Sequence, residues 1–312
     1  MQQSARPMVH IGYHKTATTW FQKAIWPSLE SHDWVPRKVT QAALLDPPGM
    51  HFDPAEARRV LGLDGRAKPV VLSEENLSGY IHNGGLHGFV GPEMARRIQA
   101  VLPDARIVVF VRNQPDVIRA SYSQYVAGGG TYSLDKYLHT YERVHGALRA
   151  PYKAPAFEWE HFEFDRLIGL YDQAFGRDNV FVYPYEWLND PEALLARLEA
   201  DLGIRFPPGI AGKRGANVSH SEAGMNGLRF ANRFTRQSVA NKDWTIDPPG
   251  GHALRNVVRF FLKAVPGAPF RLPQPVVATI ERYYAPSNRR LAAMRDLPLA
   301  ELGYPMGSDE TV

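Results

Sequence analysis

The run that decides the fold is His10-Ile11-Gly12-Tyr13-His14-Lys15-Thr16-Ala17-Thr18-Thr19-Trp20. Met8 to Gly12 reads as a short strand, Tyr13 to Thr16 as a turn and Thr18 to Leu29 as a helix, with Pro27 near its end. A strand that feeds a lysine-bearing turn and then a hydroxyl-rich helix start is built for an anion. Backbone N–H groups at a helix N-terminus attract phosphate, with the helix dipole behind them. Lys15 adds a point charge, and Thr16, Thr18 and Thr19 add hydroxyl donors. The nucleotide triphosphatase pattern G-x-x-x-x-G-K-[ST] is broken here. His14 stands where its second glycine belongs, and Gly12 is too near. By itself the run is equally compatible with a threonine-capped helix beside an exposed lysine.

Working outward, Val70-Val71-Leu72 reads as a strand leading into Ser73-Glu74-Glu75-Asn76. A helix over about 92–101 follows, with Met94, Ile98 and Val101 at helical spacing. Arg106-Ile-Val-Val-Phe-Val111 is a continuous β-branched run of the kind buried on both faces of a parallel sheet. It exits through Arg112-Asn113-Gln114-Pro115-Asp116 into a helix of roughly 117–126. Helices are expected over 133–145, 164–175, 192–202, 224–240, 253–265, 276–284 and 287–294, with a further strand at 179–183 and loop over 207–221. Strands alternating with helices imply right-handed βαβ units. The expected class is therefore α/β, one domain over 1–312, with a central, mainly parallel sheet flanked by helices and a P-loop-like turn.

Composition narrows the function classes. A chain of 312 residues with 44% hydrophobic content buries a sizeable core. It has no cysteine, so disulfides, thiolate metal sites and a cysteine nucleophile are excluded. The net charge of +4 suits an anionic ligand. The basic residues are scattered, so nucleic acid is not an expected partner. No stretch approaches the ~20 apolar residues of a membrane span, and the first residues do not read as a secretory leader. The expectation is a soluble, cytoplasmic protein, with no metal because no ligand-spaced His/Asp/Glu cluster is visible. The sequence leaves the oligomeric state open.

The opening run resembles the 5′-phosphosulfate loop of the sulfotransferases that use 3′-phosphoadenosine 5′-phosphosulfate (PAPS), roughly Y-P-K-S-G-T-T-W. Tyr13, Lys15 and Thr18-Thr19-Trp20 match, Thr16 replaces serine, and His14 and Ala17 depart from the pattern. The second motif of that family, an arginine ending a buried strand before N-P-x-D/E, resembles Val109-Phe110-Val111-Arg112-Asn113-Gln114-Pro115-Asp116. The family's helix serine falls where this chain has Ala120. Ser121 is one residue on, ~100° around the helix. Lys213-Arg214-Gly215, with Asn217 and Ser219, is similar to the basic loop over the adenosine 3′-phosphate. Phe175-Gly176, Pro184-Tyr185-Glu186 and Tyr284 to Leu291 are similar to segments of bacterial members, so the likeness runs from residue 8 to about 305. The chain resembles bacterial, glycan-sulfotransferase-like members, which carry a glutamate at a strand end comparable to that of Glu75.

This resemblance implies PAPS as co-substrate, bound by Lys15, Thr16, Ala17, Thr18, Thr19, Trp20, Arg112, Ser121, Lys213, Arg214 and Gly215. Lys15 would stabilise the departing 5′-phosphate. A general base would take the acceptor's proton. Glu75 is preferred and Glu74 is close behind, both at the C-terminal end of a strand where open α/β sheets carry their sites. His14 is a further candidate, although a lone histidine is more often structural and is read so first here. Trp20 is expected either to stack on adenine or to sit in the core. The acceptor, a small molecule or glycan, is expected among the loops at about 36–66, 80–91, 127–160 and 240–252. Those loops hold Tyr132, Tyr137, Tyr152, Phe157, Trp159 and Trp244, with Lys153, His161 and Lys242. Aromatics interleaved with cations favour a carbohydrate hydroxyl. Two rivals remain: a P-loop kinase or NTPase, and an inactive nucleotide- or glycan-binding protein of the same fold.

Overall fold

The computed structural model describes residues 6–139, 156–213, 221–235, 246, 251–263 and 265–307, with the side chains of residues 139, 213, 251–254 and 263 outside that set. Five strands form one parallel sheet: β1 (Met8–Gly12), β2 (Asp33–Trp34), β3 (Val70–Ser73), β4 (Arg106–Val111) and β5 (Val180–Pro184), in the order β2-β3-β1-β4-β5. β1 is central because every residue in it is buried. The same holds for β4, whose β-branched run has helices on both sides.

Alternation along these strands feeds two cores. Met8, Val71, Val108, Phe110 and Tyr183 point to one face, where they meet Trp20, Phe21, Ile25 and Trp26 of the first helix and Leu194, Leu195, Leu198 and Leu202 of α8 (Pro191–Leu202). Val9, Ile11, Leu72, Ile107, Val109 and Val111 point to the other. That face is covered by α3 (Pro54–Leu61), α4 (Val90–Val101), α5 (Gln114–Ala127), α7 (Phe164–Phe175) and α11 (Gln274–Arg295). The helix after β1 and the helix after β4 therefore leave on opposite faces. Between neighbouring parallel strands this divergence opens a crevice at their C-terminal ends, the place where such sheets bind ligands.

The first helix begins at Thr18 (α1, Thr18–Trp20), winds wide over Phe21–Ile25 and ends in a tight turn at Trp26–Ser28 that carries Pro27. α2 (Arg37–Thr40) and its wide continuation Gln41–Leu45, together with α3, occupy a stretch that reads as loop in the sequence. β2 is only two residues long, which leaves no periodic signal. α6 (Leu134–His139) is the described part of the helix expected at 133–145. α9 (Glu222–Ala231) ends earlier than expected, and α10 (Gly251–Lys263) follows the expectation closely. The two helices expected at 276–284 and 287–294 are one. α11 runs through Pro286 because tertiary bonds hold both sides: before it the Tyr284 hydroxyl donates to the Trp159 carbonyl at 2.8 Å, and after it Ser287 Oγ donates to Asp165, Arg290 Nε lies 2.6 Å from Asp165 Oδ2, and Asn288 exchanges hydrogen bonds with Gln114. Proline propensity is overridden by packing.

Phe110 is the keystone of the first core. Its ring lies 4.5 Å from Phe21, 5.4 Å from Tyr183 and 5.5 Å from His10, centroid to centroid. Phe110→Ala is expected to destabilise the chain by about 3–5 kcal/mol through lost burial and the cavity left behind. Urea unfolding followed by circular dichroism checks this, and an unchanged midpoint would contradict the assignment.

Candidate functional site

The turn after β1 is shaped by left-handed residues. Gly12, Lys15 and Ala17 have φ of 79°, 65° and 62°. Glycine at position 12 is required twice over, because a Cβ there would also lie 2.9 Å from the Cα of Glu75. Thr16 Oγ1 donates to the Tyr13 carbonyl at 2.5 Å, so this hydroxyl locks the turn rather than facing outward. Intrahelical bonding starts at Trp20, whose N–H donates to Ala17 O at 2.8 Å. The amides before it have no intrahelical acceptor. Thr18 is buried and Thr19 exposed at this helix start.

Lys15 is half-buried beside this helix start. Burial lowers its pKa below the ordinary lysine value; Arg112 and Arg259 of α10 lower it further, and Glu75 opposes them. Arg112 ends β4 in the adjoining turn, and its Nη1 donates to the Lys15 carbonyl at 2.9 Å. The two strand-end turns therefore form one cradle. The Arg112 guanidinium also stacks over Tyr185, 4.3 Å from the ring centroid, while its buried Nε has no partner. Below it Glu186 accepts from the Asn113 N–H at 3.0 Å and from the Tyr304 hydroxyl at 2.9 Å. On α5, Ser121 is fully buried and its Oγ is also unpartnered, whereas Ser123 Oγ donates to the Arg119 carbonyl at 2.9 Å. Buried polar atoms left without partners are rare in folded proteins, and each calls for a ligand group or an ordered water.

The adjacent carboxylates after β3 differ sharply. Glu74 is fully buried and saturated: Arg37 grips both oxygens at 2.5 and 3.0 Å, Gln41 donates at 2.7 Å, and the Asn76 N–H at 3.0 Å. Glu75 keeps an exposed edge. Gln22 donates to its Oε2 at 2.9 Å, and Arg37 Nη2 lies 3.0 Å from its Oε1. Its charge reaches Lys15 and its backbone abuts Gly12, so Glu75 belongs to the cradle, whereas Glu74 anchors the strand end.

His14 is buried, with Nε2 3.1 Å from Asn76 Oδ1 and Nδ1 unpartnered. Burial holds its pKa well below the usual histidine range, helped by the nearby His161 and His82 and opposed by the Asn76 hydrogen bond. His161 is pushed down to about 3 and His82 to about 4, chiefly by burial. All three are neutral at physiological pH, a cluster that no local spacing reveals. Trp20 is 7% exposed and packs edge-on against Phe21 at 5.0 Å, so it takes the core position. Tyr132, Tyr137 and Phe157, expected among acceptor loops, also pack into the core. Arg214, Gly215, Asn217, Ser219, Tyr152, Lys153, Lys242 and Trp244 lie outside the described residues, as does the side chain of Lys213.

A cavity of about 420 Å³ opens beside the cradle. Its wall includes Tyr13, Ser78, Gly84, His87, Glu158 and His161. Tyr13 immediately precedes His14-Lys15, and Ser78 Oγ donates to the Glu75 carbonyl at 2.8 Å, so the cavity adjoins the turn on the side of Glu75.

No protein-family model and no curated relative matches the sequence. Solved structures do resemble the fold. A sulfotransferase from Alicyclobacillus acidocaldarius superposes with a TM-score of 0.55 at 17% identity, covering 95% of this chain and 99% of that one. Mouse sulfotransferase SULT7A1, solved with PAP, is more distant, with a TM-score of 0.46 at 14% identity over 94% of this chain and 87% of that one. The chain has the sulfotransferase fold: a parallel five-stranded sheet between helical layers, with a lysine turn after its central strand.

Proposed function

We propose that the chain transfers a sulfuryl group from PAPS to a hydroxyl or amine of an acceptor, with a carbohydrate as the acceptor class. One observation carries the reading. Lys15 and Arg112 sit in a single cradle joined by a 2.9 Å hydrogen bond, and the buried Nε of that arginine has no partner, as is true of the Ser121 hydroxyl on the helix that follows Arg112. An ATP-type ligand leaves that second cationic station without a purpose, whereas a nucleotide phosphorylated at both 3′ and 5′ positions uses both. The co-substrate supplies an activated sulfuryl group on its 5′-phosphate.

The residues divide the work as follows. Arg112 and Ser121 receive the 3′-phosphate. The amides before Trp20, with the hydroxyls of Thr18 and Thr19, receive the 5′ end. Lys15 lies at the bridging oxygen, where charge grows as the S–O bond to the 5′-phosphate breaks and the acceptor oxygen bonds to sulfur. Glu75 takes the acceptor's proton, and adenosine 3′,5′-bisphosphate leaves. Glu74 positions this strand end through Arg37. His14, with its depressed basicity, orients Asn76 and lines the approach. The carbohydrate class draws support from a cavity of small-molecule size on the side of Glu75, within the ~300–1,000 Å³ typical of ligand sites, whose largely apolar wall carries a few polar groups in Ser78, His87, Glu158 and His161.

Three measurements test this reading. Calorimetric titration without metal is expected to show adenosine 3′,5′-bisphosphate binding about tenfold or more tighter than ATP, and Arg112→Ala is expected to remove most of that preference. Equal affinities for the two nucleotides would sink the proposal. The second concerns Lys15, whose pKa is depressed in the free protein. A bound anion raises it, so nucleotide affinity should weaken as pH climbs through a range below the ~10.4 of an ordinary lysine. Lys15→Met should flatten that profile; an identical profile in the variant refutes the role. In the third, Glu75→Gln is expected to lower kcat by about 10²–10⁴-fold with nucleotide affinity retained. Glu74→Gln is expected to act first on stability, by about 1–3 kcal/mol, through the loss of a charge-assisted contact to Arg37. Turnover assays alongside thermal unfolding separate the two, and a reversed pattern would exchange their roles.

A further inference from the structure

The cavity beside Tyr13 has a wall whose chemistry goes beyond transfer as such. Its glycine-rich side, Asn83 to Gly88, holds Leu86 and His87 in the left-handed region, with φ of 48° and 57°. The pairing of His87 Nδ1 with Glu158 Oε2 at 3.3 Å fastens this loop to the opposite wall. A second tie is the Glu158 N–H, which donates to the His82 carbonyl at 2.8 Å. The Nε2 of His87 has no partner. His161, about nine-tenths buried on the same wall, likewise has an unpartnered Nε2. The half-buried Glu158 carboxyl adds an acceptor, with Glu160 beside it at the mouth. Burial and the Glu160 carboxyl push Glu158 up to about 8, so the site favours a proton over a bare negative charge. The cation on this wall, Arg166, is paired with Glu163.

We propose that this cavity receives the acceptor, and that Glu158 selects acceptors carrying a protonated amine. This rests on the transfer reaction proposed above and names its substrate class. An ammonium group is a three-proton donor with a positive charge. It satisfies the Glu158 carboxylate and a histidine lone pair together, replacing the proton that the buried carboxyl otherwise retains. Anionic acceptors offer no positive charge to stand in for that proton. The cationic cradle lies on the side of His14 and Lys15, so the donor site carries positive charge while the acceptor wall presents a carboxyl that holds a proton until a cation replaces it. Within this class the attacking group is a hydroxyl, or a second amine in its neutral form, because a protonated amine has no lone pair to attack sulfur.

The test uses the full chain saturated with adenosine 3′,5′-bisphosphate, and compares glucosamine with glucose by saturation-transfer NMR near neutral pH. Glucosamine is expected to bind about tenfold or more tighter. N-acetylglucosamine, in which the charge is removed from the ligand, should bind as weakly as glucose. Glu158→Gln should narrow the glucosamine preference to about threefold or less, with retained nucleotide affinity reporting an intact fold. The inference is overturned by equal affinities for glucosamine and glucose, by absent glucosamine binding, or by a preference that survives in a nucleotide-competent Glu158→Gln. Should that variant fail to bind nucleotide, the three-sugar comparison on the unaltered chain decides alone. Loss on this side leaves nucleotide binding untouched, whereas failure of the unaltered chain to bind adenosine 3′,5′-bisphosphate defeats the transferase reading itself.

Discussion

The hydrogen bond from the Arg112 guanidinium to the Lys15 carbonyl holds two like charges in one cradle. Two cations this close repel, and this adds to burial, the larger cause, in lowering the pKa of Lys15. The backbone absorbs that repulsion. Lys15 stands in a left-handed conformation at the end of the central strand, and its peptide oxygen gives Arg112 an acceptor that no rotation of either side chain removes. Tyr185 supports the guanidinium from one face, and Glu186 fixes the amide after it. A ligand with anionic groups at both ends meets charges already in position, and its arrival relieves strain rather than creating order. Electrostatic preorganisation of this kind is the largest contribution a fold makes to group transfer.

Why the cradle sits there follows from topology. β1 and β4 are neighbours and parallel, yet their helices depart to opposite faces, so their ends splay apart while the strands stay bonded. β3, on the other flank of β1, brings the carboxylates to the same end, and Arg37 bridges Glu74 and Glu75 from α2. A single guanidinium thereby sets the separate fates of two adjacent residues. Glu74 is enclosed with four donors; Glu75 shares the same arginine but faces Lys15.

How much of this could be read from residue order depends on the range over which each feature is encoded. β1, β3, β4 and β5 are legible because continuous apolar runs leave no other plausible home than a buried parallel sheet. The lysine and arginine turns are legible because each is local to a strand end. Glu74 and Glu75 are indistinguishable in sequence, since Arg37, Gln41 and Gln22 come from other elements. Ser121 illustrates the same limit, as only the packing of α5 shows its hydroxyl buried and unpartnered while that of Ser123 is bonded within its own helix. Tyr137 and Phe157 mislead for a related reason. Aromatic residues near loops look like a sugar platform, yet Tyr137 packs 5.3 Å from Phe157 and 4.9 Å from Tyr125 inside the core. Proline at 286 misleads oppositely, because bonds from Asp165 and Gln114 carry the helix through it.

The neutral histidines complete the logic of opposed charge. His14, His82 and His161 stand between a cationic cradle and a wall bearing Glu158. Charged imidazoles there would add to the repulsion already borne by Lys15, and burial prevents it by holding all three uncharged. This keeps the ground between Lys15 and the cavity wall polar without net charge. In the transfer proposed above, the doubly phosphorylated donor belongs with the cations of the cradle. Hydrolysis of an activated sulfuryl group is a competing reaction whenever the acceptor site stands open to water or to the wrong ligand. Segregation of charge by a buried, uncharged layer limits the second of these without any moving part, which is what a fold with its site on rigid strand ends is able to offer.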